Sequence, residues 1–155
     1  KGKWSFIGTE KLKNSEFLEK AGTTAEGMLM TGEWDPEISY TKTSDTFLEF
    51  YRMIRGAESI PTEAEALGFE AYMLLLHAIE SVGEDGKTPD AITGSDIQKA
   101  ILNTKDFNGV TGVLSVNPDG DFQRDRTVWM VKNGTFINTK KVKKTAIAYK
   151  TIQPL

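Results

Sequence analysis

The chain has no cysteine and a single histidine, His77, among its 155 residues. Without thiols it forms no disulfide, no zinc–thiolate site and no thiol nucleophile, and its cysteine usage leaves the redox compartment open. One histidine excludes a histidine-based triad or a multi-histidine metal site. His77 itself lies in an apolar helical stretch with no metal-ligand spacing around it, and reads as a helix-face residue without a catalytic role. No glycine-rich phosphate loop and no G-x-S-x-G nucleophile motif is present. The longest nearly apolar run, Ala71 to Ile79, is far too short to span a bilayer. A net charge of −3 with a pI near 5.3 argues against a general nucleic-acid binder. No signal peptide is visible, and the chain opens at Lys1 with a strand already under way, which predicts a fragment or a processed product.

What is there is the composition of a globular domain, 39% apolar and 26% charged. Trp4 to Ile7, ended by Gly8, reads as a buried strand. Thr9 to Lys13 reads as a loop, and Asn14-Ser15 caps a short helix to Ala21 that Gly22 stops. Gly27 to Trp34 is a second strand candidate, closed by Asp35-Pro36. Ser44-Asp45 opens an amphipathic helix whose Phe47, Phe50, Tyr51 and Ile54 share one face, with Gly56 at its end. Pro61 to Val82 is the longest helix and carries apolar residues on almost every face, which predicts burial on several sides. Ser95-Asp96-Ile97-Gln98 fits a capping box for a helix to Asn103. Val110 to Val116 and Thr127 to Lys132 are strand candidates. Asn133-Gly134 is a strong type I′ hairpin signal, because both central residues of that turn need positive φ. Val128 to Val131 are consecutively apolar, so that strand is expected to be covered on both faces. Strands separated by helices, with a terminal hairpin, predict an α/β class with a partly parallel sheet.

Four polar features invite a chemical reading. Asn117-Pro118-Asp119-Gly120-Asp121 has its glycine too early for a calcium loop, and reads as a turn ending a strand. Lys140, Lys141, Lys143 and Lys144 lack interleaved aromatics, and read as the protected edge of a sheet. Asn133-Gly134-Thr135 matches a glycosylation sequon, although the hairpin accounts for its first two residues. Glu10 differs from these. It follows a strand-like run directly, and in open α/β sheets ligands bind outside the carboxyl ends of strands. A carboxylate there suits a cationic group such as an ammonium.

The ordered segments F-I-G-T-E (6–10), A-G-T-T-A-E-G-M-L-M-T (21–31), F-L-E-F-Y (47–51), A-L-G-F-E-A-Y-x-L-L-x-A-I (66–79), F-N-G-V-T-G-V-L-S-V-N-P-D-G-D (107–121) and V-K-N-G-T-F (131–136) carry a family likeness. The chain resembles the C-terminal part of periplasmic solute-binding proteins of ABC importers, of the leucine/isoleucine/valine-binding type. The resemblance implies the type 1 periplasmic binding fold: parts of two Rossmann-like α/β lobes, with mostly parallel sheets and a C-terminal antiparallel hairpin. Residues 1–34 and 127–155 would belong to the second lobe and 35–126 to the first. The N-terminal half of the full protein would be absent.

The resemblance also implies a function. The protein would be a non-enzymatic periplasmic or cell-surface receptor that binds an amino acid or related small polar metabolite between two lobes. Its partner would be the membrane permease of an ABC importer, with no nucleic acid and no cofactor. A ligand-sensing domain of the same fold, in a signalling receptor or regulator, is the alternative. Glu10 falls where the family's amino-acid binders hold the ligand α-ammonium. Ala64, at the start of the long helix, falls where the family commonly places an aromatic side chain, which implies a roomier pocket or an aromatic ligand. As an isolated fragment the chain is expected to dimerise or swap through exposed sheet edges and apolar helix faces.

Overall fold

In a computed structural model, which describes residues 6–139, eleven α-helices and β-strands follow one another. They are β1 (Ile7–Thr9), α1 (Ser15–Ala21), β2 (Leu29–Gly32), α2 (Lys42–Arg55), α3 (Glu63–Glu84), α4 (Gly94–Asn103), β3 (Phe107–Asn108), β4 (Val113–Val116), β5 (Phe122–Gln123), β6 (Thr127–Lys132) and β7 (Thr135–Asn138). They fall into two compact units. One, the sheet unit, takes the residues up to Gly32 and from Arg126 on; the other, the helical unit, is Glu33–Asp125.

The sheet unit is a four-stranded sheet in the order β1-β2-β6-β7. β1 and β2 pair in parallel, linked by the α1 crossover, whereas β2/β6 and β6/β7 are antiparallel. Asn14 caps α1 by accepting the Phe17 amide at 2.8 Å, and Gly22, at φ 51°, ends it. α1 lays Phe17, Leu18 and Ala21 on a core of Ala25, Met30, Trp129 and Val131. The β6–β7 turn has Asn133 at φ 53° and Gly134 at φ 69°, the conformation expected of a type I′ hairpin. Its two amides are not left to water alone. Glu26 reaches across and accepts from both, at 3.0 Å from Asn133 and 2.7 Å from Gly134.

The helical unit centres on Trp34, Phe47, Leu48, Ala66 and Val110, with Tyr40, Tyr51 and Phe69 packed against them. The Phe47 ring meets Trp34 edge-on at 5.9 Å and Phe69 at 5.1 Å, arrangements that add to burial alone. Thr41 caps α2, accepting the Ser44 amide while donating its hydroxyl to the Gly109 carbonyl at 2.6 Å. α4 packs along α3, and β3-β4-β5 form a small antiparallel sheet.

Several expectations change. The first strand is Ile7–Thr9, not a buried run from Trp4; Phe6 and Ile7 are exposed because β1 is the outer strand, and Trp4 lies outside the described residues. Glu10–Leu12 is a short 3-10 turn where a loop was expected. Mostly parallel sheets were expected, yet β1/β2 is the one parallel ladder among the described residues; it is also the one joined by a helical crossover, which parallel neighbours require. Val110 is buried but precedes β4, since residues 109–112 form a tight turn closed by Gly109 N–H on Gly112 O at 2.9 Å.

The long helix departs furthest. α3 buries one row, Ala66, Glu70, Leu74, Ala78 and Val82, and leaves Tyr72 and Leu75 exposed. Ala66 near its start packs into the Trp34–Phe47–Leu48–Val110 core and α4 runs along it, while the outward faces stay open among the described residues. On β6 the buried Thr127, Trp129 and Val131 alternate with half-buried Val128 and Met130, so one face is covered fully and the other in part. The second half of the α2 stripe is open too: Phe50, Met53 and Ile54 are exposed, Ile54 to 77%. The lysines at 140, 141, 143 and 144 lie outside the described residues.

Candidate functional site

Glu10 begins the 3-10 turn directly after β1, and its carbonyl accepts the Lys13 amide at 2.8 Å. The strand ladders fix which end of the sheet this is. β1 and β2 run in parallel to Thr9 and Gly32, and β6 starts at Thr127 opposite Gly32. Glu10 therefore stands at the carboxyl end of the parallel pair, the end at which the chain leaves the sheet unit after Gly32 and re-enters it at Arg126. Its side chain is half-buried, and its carboxylate has no hydrogen-bond or ion-pair partner among the described residues. Nearby Lys13 is occupied differently, its ammonium lying 4.3 Å from the centre of the buried Trp129 ring. At Gly8, two residues before Glu10, a Cβ would come within 2.8 Å of Leu12 Cδ1 and 3.1 Å of Met28 Cε, so those side-chain ends would have to shift. The turn that presents Glu10 is thus pressed close to its strand.

Ala64 is the second residue of α3 and is exposed. The α3 N-terminus is built by a capping box, in which Thr62 Oγ1 accepts the Glu65 amide and Glu65 Oε2 accepts the Thr62 amide at 2.8 Å. Glu65 also accepts the Tyr51 hydroxyl at 3.0 Å. The Thr62 amide and hydroxyl hold the Glu65 carboxyl below its ordinary value. Desolvation and then the Glu65 contact push the Tyr51 phenol above its own. Beside Ala64, Glu63 Oε2 accepts the amides of Glu33 at 2.8 Å and Trp34 at 3.1 Å. Ala64 accordingly stands at the end of the helical unit where the chain enters it. Each expected site residue lies at the crossing end of its own unit.

The sequence reading missed a buried carboxylate in the middle of α3. Glu70, 4% exposed, accepts the Thr111 amide at 2.7 Å and the Thr111 hydroxyl at 2.9 Å, and is paired with Arg124. Arg124 Nη1 also donates to Thr111 Oγ1 at 2.6 Å, and its Nε lies 3.1 Å from Glu33 Oε2. Gly109 is required here. A Cβ on it would fall 2.8 Å from the Glu70 carboxyl carbon and nearer still to Oε2. A signal existed: Glu70 sits on the Ala66–Leu74–Ala78 row, and a carboxylate on a buried row needs partners.

The other polar features resolve simply. His77 is exposed on α3, its ring 5.3 Å from that of Phe107. It borders a groove of about 570 Å³ between α3 and α4, where Lys87 pairs with Asp96 at 2.6 Å and Lys105 donates to the Val116 carbonyl. Lys87 and the Thr93 cap hold the Asp96 carboxyl well below the usual range. Asn117–Asp121 is the β4–β5 turn, with Asn117 Oδ1 accepting the Asp121 amide and Gly120 at φ 90°. Among the described residues no group of three or more acidic or histidine side chains is arranged to hold a metal ion. No described helix is long and apolar enough to cross a membrane.

Neither a protein-family model nor a curated protein matches the sequence. Solved structures do. The leucine-binding protein LivK of Thermotoga maritima is 28% identical with a TM-score of 0.66, over 88% of this chain and 37% of its own. The LivJ substrate-binding protein of Streptococcus pneumoniae, solved with isoleucine, is 20% identical with a TM-score of 0.59, over 88% of this chain and 38% of its own. An ABC transporter substrate-binding protein of Desulfitobacterium hafniense, solved with leucine, is 22% identical with a TM-score of 0.62, over 86% and 43%. The chain spans about two fifths of the length of these proteins. It has the type 1 periplasmic binding fold of the branched-chain amino acid binding proteins of ABC transporters.

Proposed function

We propose that the chain is part of a solute-binding receptor of an ABC importer, working outside the cytoplasmic membrane and delivering an amino acid or related small polar metabolite to a permease. The sheet unit is read as part of the second lobe and the helical unit as part of the first, with the ligand held by closure of the two. Binding of that kind works by differential affinity: a ligand that favours the closed state shifts the population toward it. No chemistry on the ligand is needed, and the receptor is read as non-enzymatic.

The observation that carries the reading is Glu10, a half-buried carboxylate at the carboxyl end of a parallel strand pair, with no partner of its own among the described residues. It is proposed to accept a charge-assisted hydrogen bond from the ligand ammonium, worth about 1.5–3 kcal/mol. Ala64 is proposed to leave room for the ligand side chain at the start of α3. The fold shared with a leucine-binding protein at 28% identity supports the ligand class. Calorimetric titration of amino acids into the wild type, Glu10→Ala and Glu10→Gln tests the role: affinity is expected to fall at least tenfold in both variants, and unchanged affinity rejects it. On its own, the 155-residue chain is proposed to self-associate through the uncovered Phe50–Met53–Ile54 and Tyr72–Leu75 faces. Light scattering across a dilution series reads this directly, and a monomer at all concentrations contradicts it.

A further inference from the structure

The helical unit has an entry at Glu33 and an exit at Asp125, and one guanidinium serves both. Arg124, next to the exit, places its Nε 3.1 Å from the Glu33 carboxylate at the entry. Its Nη1 reaches Glu70 on α3 and donates to Thr111 at 2.6 Å. The entry is fastened a second time, since the Glu33 and Trp34 amides both donate to Glu63 at the head of α3. Glu63 and Glu70 are two helical turns apart, so the two attachments use one rigid element. The three charged side chains are 11% (Arg124), 17% (Glu33) and 4% (Glu70) exposed, and water screens them little. The Glu33 contact is an ion pair rather than a hydrogen bond, and a planar guanidinium can sit against two carboxylates at once, by its Nε and its Nη edges, which an ammonium on a flexible stem does poorly.

We infer that Arg124 is a positioning residue that fastens both chain crossings of the helical unit to α3, so that entry and exit behave as one stiff pair. Its purpose rests on the two-lobe reading above. With both segments held, the bending needed for closure falls on the links Gly32–Glu33 and Asp125–Arg126, not on unravelling of either segment. Gly109, with no room for a Cβ, and Thr111, which serves both charges through one hydroxyl, complete the fastening from the 109–112 turn.

Hydrogen exchange read by mass spectrometry on the 155-residue chain tests this without any ligand. In Arg124→Gln, exchange in peptides covering residues 32–35 and 122–126 is expected to rise together, about tenfold or more, while that of the Gly94–Asn103 helix changes by less than about twofold. Arg124→Lys, which serves one carboxylate at a time, loosens both segments as well. Loosening of the exit alone, an equal rise throughout the helical unit, or wild-type exchange in both variants overturns the inference. Should Arg124→Gln fail to fold, Glu33→Gln is read by the same ratio: both segments loosen if they are joined, the entry alone if they are not. The ligand reading fails separately, by unchanged affinity in the Glu10 variants, and neither result decides the other.

Discussion

Glu10 and Glu70 occupy opposite situations in the two units. Glu10 is half-buried at the end of a strand and has no partner among the described residues. Glu70 is buried in the middle of a helix, with an amide, a hydroxyl and a guanidinium on its two oxygens. Burial of a carboxylate without compensation is costly, so a satisfied one is a structural part and its loss unfolds. A carboxylate left open on a partly exposed turn costs little to keep, which suits the ligand role proposed for Glu10. The difference teaches where to look for binding and where to look for stiffness: the sheet unit offers the open group, the helical unit the locked one.

Breaking the locked side gives the largest effect. Glu70→Ala strands Arg124 and Thr111 and is expected to cost about 3–5 kcal/mol of stability in urea denaturation. Gly109→Ala forces a methyl into the same carboxylate and is expected to cost about 1–3 kcal/mol. Gly68→Ala sharpens the contrast. It is also a glycine of the helical unit, within α3, but a Cβ there meets nothing within 4 Å; the helix is expected to gain up to about 1 kcal/mol.

Acid acts on the helix caps. The Glu65 and Asp96 carboxyls are held below their ordinary values of 4.5 and 3.8. Groups depressed in the folded state contribute stability above their unfolded pKa, and it is lost as pH falls through the folded one. Stability should decline below about pH 4, and the Asp96→Asn variant should show a shallower decline than the wild type in pH-dependent melting. Glu10→Gln is the smallest in stability, within about 0.5 kcal/mol, because no described partner is lost.

Local chemistry was the legible part of this chain. Asn14 and Gly22 bracket α1, and Asn133-Gly134 makes its turn, because caps and tight turns depend on residues a few positions apart. The helix starts slipped where two caps competed: Thr93, not Ser95, closes the box with Asp96, and Thr62, one past Pro61, does so with Glu65. The position of Glu10 directly after a strand was legible because it depends only on that strand. The Glu33–Glu70–Thr111–Arg124 group was not, since Thr111 and Arg124 lie 41 and 54 residues from Glu70 along the chain and only the tertiary fold joins them to it. Burial of α3 was over-read because apolar side chains on many faces permit contact without supplying a partner.

The claim at the centre is that Glu10 receives an ammonium. A titration cycle tests it most directly, using an α-amino acid that binds and the same acid without its amino group, against the wild type and Glu10→Gln. The account predicts that the wild type prefers the amino acid by about tenfold or more, as a charge-assisted hydrogen bond of about 1.5–3 kcal/mol requires, and that Glu10→Gln largely erases the preference. An undiminished preference in Glu10→Gln would contradict it.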